Sequence, residues 1–494
     1  MAHHFANEFP SRLLMWQRVR EYAVPPSMIE TATARRAVGD WAGACAAARI
    51  DVDLDLRAVR DRHGIDLVRR LRADLRRLSP DLLRWHMPRI APDGRLRPGL
   101  TLSLARYRSY GALPLELVVR TPPAWADAGQ RMSLALWEGS TSGAPRHHPH
   151  PHPDRRFRLD LHRHLWDAGR SGELARRCGA YGAPFAVPLD LPGLSGGYGR
   201  SASPAVRDAW WAVGRWAAEA ELLLRAEGRP RGAFTVRLDA RSRAVFELVA
   251  PDDSHAPALR PLREALPPQE LAALPVLPEA AARVLPDLEL LRAGLVASER
   301  LHPLVAAALP GSDYAPVAGP AAELGDPHRV DCRGEVHRIA LRGGALTAVD
   351  HDPTELRREE LLVALGGPAL PCLRAIDAVH RTPEALPAVR ERLRHGDVVG
   401  ALAVVEGLLG PAAVMRDGPL REELESAAER RVGHGLFRSG LVAVHPAAGT
   451  ADGGTAVGGE HAEADHRPRL DRRTPLVMRR KRAGRGRPRT GLTC

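Results

Sequence analysis

Between residues 11 and 88 apolar residues recur every three or four positions, with Leu67, Leu71, Leu75 and Leu78 in one line and arginines on the opposite face. That period predicts helices. Pro80 takes the favoured first position of another helix, with Ser79 as its expected cap and Pro88 beyond its end. From about residue 99 the period drops to two. Leu115, Leu117 and Val119 alternate, as do Met132, Leu134 and Leu136, then Phe157, Leu159 and Leu161. Alternation predicts strands with one buried face, and on the last of them His162 is expected beside Arg158 and Asp160 on the outer face. A helix is expected next, capped by Ser203 with Pro204 first and Val206, Trp210, Val213 and Ala217 along one side. Residues 234–238 and 245–249 read as a hairpin, and residues 287–300 as a helix. Residues 336–349, with Gly343-Gly344 in the middle, read as a tight hairpin, after which helices are expected to about residue 438.

These patterns predict a multidomain α+β chain. Its expected parts are N-terminal helices (1–95), a strand-rich α+β region (96–250), a Pro/Ala-rich connection (251–330), a mostly helical region with a hairpin (331–443) and a tail (444–494). A length of 494 residues favours two or three packed units. All nine tryptophans lie between Trp16 and Trp216, and this change in core chemistry places a boundary near residue 250. The tail is Gly-rich, then basic. It has too little apolar surface to offset the entropy of ordering, so disorder is expected there.

An apolar fraction of 44% excludes a wholly disordered chain. Lys481 is the single lysine; with 45 Gly and 43 Pro, the composition reflects GC-rich codons, so individual arginines, glycines and prolines say little about function. From Arg467 onward there are eleven basic residues against one acid, so the tail holds +10 of the net +12. The remainder is polarised: residues 1–180 carry +11 and residues 181–466 carry −9. Cys45, Cys178, Cys332, Cys372 and Cys494 are scattered without a CxxC pair, which points to thiols of a reducing, cytoplasmic compartment. The first residues lack a basic start followed by an apolar run, so secretion is not expected. The most apolar stretch, Val398–Leu409, is 12 residues long and contains Glu406, too short for a membrane span and giving no expectation of a membrane partner.

Histidines form the most conspicuous cluster: His147, His148, His150 and His152, followed by His162 and His164. Imidazoles so spaced can capture zinc or another transition metal, although neighbouring Arg155, Arg156 and Arg158 would repel a cation. No cofactor is otherwise expected. Gly193-Leu194-Ser195-Gly196-Gly197 matches GxSxG, but Pro192 before it and Pro204 after it do not suit a strand–turn–helix elbow. Asp350-His351-Asp352 reads as a helix start, with Asp352 as cap, Pro353 first and Glu355 completing a capping box, while His351 ends a strand. GDxxGA occurs twice, at Gly39–Ala44 and Gly396–Ala401, and reads as recurring helix-start chemistry.

In the tail, Arg485-Gly486-Arg487-Pro488 flanked by Arg482 and Arg489 resembles an AT-hook core. The resemblance implies DNA contact through a narrow minor groove: glycine permits close approach and the guanidinium groups meet the groove's negative potential. The body, about residues 12–440, resembles a family of uncharacterised actinobacterial proteins through segments such as VPPSMIETATARRAVGDWAGACAAARIDVDLDL, LRWHMPRIAPDG, RTPPAWADAGQRMSLALW and GDVVGALAVVEGLLGPAAV. That resemblance implies a genuine fold and no particular chemistry. The expectation is a cytoplasmic, non-catalytic interaction or accessory protein with a protein partner. The alternatives are a DNA-associated protein using the tail and a metal-binding enzyme using the histidines.

Overall fold

The computed structural model describes residues 11–107, 115–139, 152–180, 211–229, 231–239, 242–249, 256–262, 266–309, 329–332, 335–342, 345–348, 350–365, 370, 372–373, 386–409 and 418–439. The fold is mixed α+β, as its periodicities predict, with N-terminal helices, sheets in the middle and a helical C-terminal region. The first helices are α1 (Ser11–Tyr22), α2 (Pro26–Ala37) and α3 (Trp41–Ala47). After the strand β1 (Ile50–Asp53) come α4 (Leu56–His63), α5 (Ile65–Arg77) and α6 (Pro80–His86). On α5, Leu67, Leu71 and Leu75 are buried, and Leu78 follows them into the same core. Ser79 precedes α6 without capping it: its hydroxyl donates to Asp81 Oδ1 at 2.8 Å.

Strand β1 corrects the expectation of an all-helical start. Its four residues are too short to declare themselves, and their partner lies some eighty residues downstream. After a small hairpin of β2 (Arg89–Ile90) and β3 (Arg95–Leu96) come β4 (Thr101–Tyr107), β5 (Leu115–Arg120) and β6 (Met132–Trp137). The sheet runs β1-β6-β5-β4, with β1 parallel to β6 in the register Ile50 to Met132 and the other pairs antiparallel. The interior strand β5 is covered on both faces, which explains its nearly unbroken apolar run. Residues 156–161 do not form the expected regular strand. They make a single parallel bridge, Arg158 to Ser103, and then turn.

One core joins α1–α6, the four-stranded sheet and Val284–Leu309. The Pro/Ala-rich stretch therefore contributes Val284, Leu288 and Leu291 to the same interior as the N-terminal helices. After α7 (Leu174–Cys178) comes α8 (Trp216–Ala226), which packs with a hairpin of β7 (Gly232–Arg237) and β8 (Arg243–Val249) and an added strand β9 (Ala258–Pro261). These elements form a second core around Trp211, Trp216, Phe234 and Phe246. Next come α9 (Pro268–Ala273), α10 (Glu279–Ala282), α11 (Pro286–Arg292) and α12 (Pro303–Ala308). Helix α11 is shorter than the residues 287–300 expected.

The C-terminal region contains β10 (Arg329–Cys332), β11 (Glu335–Arg342) and β12 (Ala345–Ala348), an antiparallel sheet in which β11 and β12 pair as the expected hairpin does, Arg342 opposite Ala345; Gly343 and Gly344 lie outside the described residues. Helices α13 (Pro353–Ala364), α14 (Leu386–Arg394), α15 (Val398–Leu409) and α16 (Pro419–Arg438) follow. No described helix is long and apolar enough to cross a membrane.

Candidate functional site

The GDxxGA echo is the same local device used twice. Gly39 and Gly396 adopt φ of +77° and +82°, and the following aspartates cap α3 and α15. Asp40 Oδ1 accepts from Gly43 N at 2.8 Å, and Asp397 Oδ1 accepts from Gly400 N at 3.2 Å. A Cβ on either later glycine would meet the capping carboxylate at 2.1 Å, so a larger residue there would push the cap aside. The second copy does more. Gly396 lies against the Gly129 backbone, and Arg49 reaches across to donate to the His395 carbonyl at 2.7 Å. Farther along, His434 Nδ1 lies 2.7 Å from the Ala126 carbonyl, Arg438 pairs with Asp53 at 2.7 Å, and Phe437 meets Trp125 edge-on. Helices α14–α16 are thus seated on the sheet-bearing body.

Of the expected histidine ligands, His147, His148 and His150 lie outside the described residues. His152 is exposed and meets Trp137 edge-on. His162 and His164 are brought together, with ring centroids 5.7 Å apart, but in the interior and not on an outer face. The turn after Arg158 rotates them inward. Arg177, which can only donate, lies 3.2 Å from His162 Nδ1, so that nitrogen is the acceptor and the ring proton sits on Nε2. Burial, with nearby Arg177 and Arg215, pushes both imidazoles well below their ordinary basicity; His164 adds to the effect on His162, and His86 to that on His164. His162 Nδ1 is 3.8 Å from Glu219, which Arg177 holds through two hydrogen bonds of 2.9 and 2.8 Å. Among the described residues no three His, Cys, Asp or Glu side chains are arranged to hold a metal ion. The AT-hook-like residues Arg482, Arg485, Gly486, Arg487, Pro488 and Arg489 lie outside the described residues, as does Ser195.

The interior also holds paired charges that no spacing announced. Asp287 accepts from Arg20 Nε at 2.8 Å, from a second Arg20 nitrogen at 2.7 Å and from Trp85 Nε1 at 3.0 Å. Arg20 lies over the Trp16 and Trp85 rings as well. Asp81 Oδ2 receives His302 Nε2 at 3.0 Å, while His302 Nδ1 accepts from Leu304 N and caps α12. Although burial alone would raise the Asp81 carboxyl, His302 and Ser79 hold it below its ordinary value. Ser79, Asp81 and His302 are three reactive residue types, but Ser79 donates to the carboxylate and not to the imidazole. Their role is to fasten α12 to α6.

Two features of the C-terminal region, one exposed and one buried, bear on function. On α13, Arg358, Leu361, Leu362 and Leu365 follow the spacing i, i+3, i+4, i+7 that makes one helix face. Leu361, Leu362 and Leu365 are 61%, 51% and 85% exposed. At the start of the same helix, Asp352 caps as expected, accepting from Thr354 N at 3.0 Å. His351 does not simply end the strand. Its Nε2 lies 3.1 Å from Cys372 Sγ, its Nδ1 lies 3.9 Å from Glu355, and the His337 ring stacks on it at 4.0 Å. Cys372 is twenty-one residues from His351 and in no recognisable spacing, so only the fold could join them.

Comparison with protein-family models, curated proteins and solved structures finds no match for the chain.

Proposed function

We propose that the chain is a cytoplasmic accessory protein that works by docking a protein partner and carries no catalysis of its own. The α13 stripe supports this reading. Scattered surface leucines are ordinary, but three exposed on one helical face form an apolar stripe. The stripe has the anchor spacing with which a helix enters a groove on a partner. Burying each leucine is worth about 1.5–3 kcal/mol, enough for three to anchor a complex. Cys45 and Cys178 persist as buried thiols, which suits a reducing compartment.

The test compares tagged full-length wild type with Leu361→Glu/Leu365→Glu in pull-downs from cell extract, alongside light scattering of the purified chain. A specific protein retained by wild type and lost with the variant is expected. Equal retention by both would overturn the reading. So would concentration-dependent self-association of wild type that the variant abolishes, because the stripe would then serve copies of this chain.

A further inference from the structure

We propose that Cys372 and His351 form a peroxide-reactive thiol site on the same module as the α13 stripe. The pair has the geometry of an activated nucleophile: a sulfur within hydrogen-bond reach of one imidazole nitrogen and a carboxylate beside the other. Three elements assemble it. β11 supplies His337, which stacks on His351 with its ring plane 14° away; the turn before α13 supplies His351; and α13 supplies Glu355.

Two other buried thiols, Cys45 and Cys178, set the contrast. Burial, with Asp40 adding, pushes Cys45 up to about 12, and burial pushes Cys178 up to about 11. Cys178 Sγ donates to the Ala175 carbonyl at 3.5 Å. Neither has a base, so both stay protonated and inert. Cys372 alone among these three faces an imidazole that can take its proton.

Burial then selects the co-reactant. Cys372 is fully buried among Ala348, Leu370, Leu356 and Leu373. Bulky electrophiles are excluded. Hydrogen peroxide, little larger than water, is the class of oxidant that fits, and the approach is along the His351–Glu355 side, where Glu355 is 48% exposed. In the reaction, the Cys372 proton passes to His351 Nε2 and the thiolate attacks one peroxide oxygen. An S–O bond forms as the O–O bond breaks. The departing hydroxide takes the proton back from the imidazolium and leaves as water. Cysteine is oxidised to the sulfenic acid and peroxide is reduced to water. A hydroxyl added to sulfur beside the first turn of α13 places the change one element from the docking stripe.

The experiment treats folded full-length protein with hydrogen peroxide, removes excess peroxide with catalase, then unfolds the protein into dimedone so that every sulfenic acid is trapped, and quantifies each cysteine by peptide mass spectrometry. Labelling of Cys372 should exceed that of Cys45 and Cys178 by about tenfold or more. His351→Gln should bring it down to their level with the circular dichroism spectrum unchanged. Should that variant fail to fold, the wild-type rate against pH decides. With His351 at the sulfur, and His337 and Glu355 against that imidazole, labelling should persist well below about pH 8.5, the ordinary thiol value. Equal labelling of the three cysteines, an unchanged rate in folded His351→Gln, or a rate rising only above that value would each overturn the proposal.

Discussion

Replacing Gly396 with alanine should loosen the C-terminal helices from the body, and Gly39→Ala in the sister motif provides the measure of why. Both glycines have positive φ, a conformation that costs a residue bearing Cβ about 1–2 kcal/mol. At Gly39 nothing lies within 4 Å of the added carbon, so that cost stands alone. At Gly396 the carbon would sit 2.1 Å from the Gly129 carbonyl oxygen and 2.6 Å from its Cα. Backbone cannot swing aside as a side chain can, so an overpacking cost of about 1–3 kcal/mol is added. The expected losses are about 1–2 kcal/mol for Gly39→Ala and about 2–5 kcal/mol for Gly396→Ala. Urea titration followed by both tryptophan fluorescence and far-ultraviolet circular dichroism reads the difference. Trp125 meets Phe437 at 5.6 Å between ring centroids, so its emission reports whether α16 is seated. Gly396→Ala should shift this signal to lower urea, ahead of the main transition, while Gly39→Ala lowers the main transition slightly. Equal midpoints for the two variants would refute the claim that close backbone approach at Gly129 governs the docking.

Asp287→Ala should cost about 3–5 kcal/mol, because it leaves the buried Arg20 guanidinium without its carboxylate, whereas Arg20→Met/Asp287→Leu should recover most of the loss; urea midpoints of the two variants decide, and a single variant as stable as the double would contradict this. Burial lifts the Glu289 carboxyl from 4.5 to about 6 against the pull of Arg12, so between those values the native state keeps a proton that the unfolded chain has released. Its contribution therefore falls by about 2 kcal/mol as pH rises through that window, and Glu289→Gln should gain on wild type over the same range. His86, His162, His164 and His395 work in the opposite sense: burial holds each imidazole well below its ordinary value, so the unfolded chain gains protons first and stability is lost as pH falls below about 6.5. A stability difference between wild type and Glu289→Gln that ignores pH would contradict the first statement, and full stability retained in acid would contradict the second.

The leucines of α5 illustrate how much periodicity can reveal. One face of a helix must leave water, so Leu67, Leu71 and Leu75 announce both the helix and its buried side. The pairing of β11 with β12 and the helix start at Asp352-Pro353 were equally plain, because hairpin pairing and caps depend on residues near one another. Strand β1 shows the limit: Ile50–Asp53 becomes a strand through pairing with Met132–Ala135, and no local signal carries a partner so distant. His162 shows another. Alternation assigned it an outer face, but a turn after Arg158 buried it among arginines.

By itself the sequence determined the α+β character, the buried face of α5, the helix starts at Pro80 and Pro353, the repeated GDxxGA caps and the concentration of positive charge beyond residue 466. Each follows from interactions between residues a few positions apart. Tertiary structure alone decided that Arg20 meets Asp287, that Gly396 rests on Gly129 and that Cys372 faces His351. Those contacts join residues separated by long stretches of chain, and their chemistry depends on burial and distance, which exist only once the chain has closed on itself.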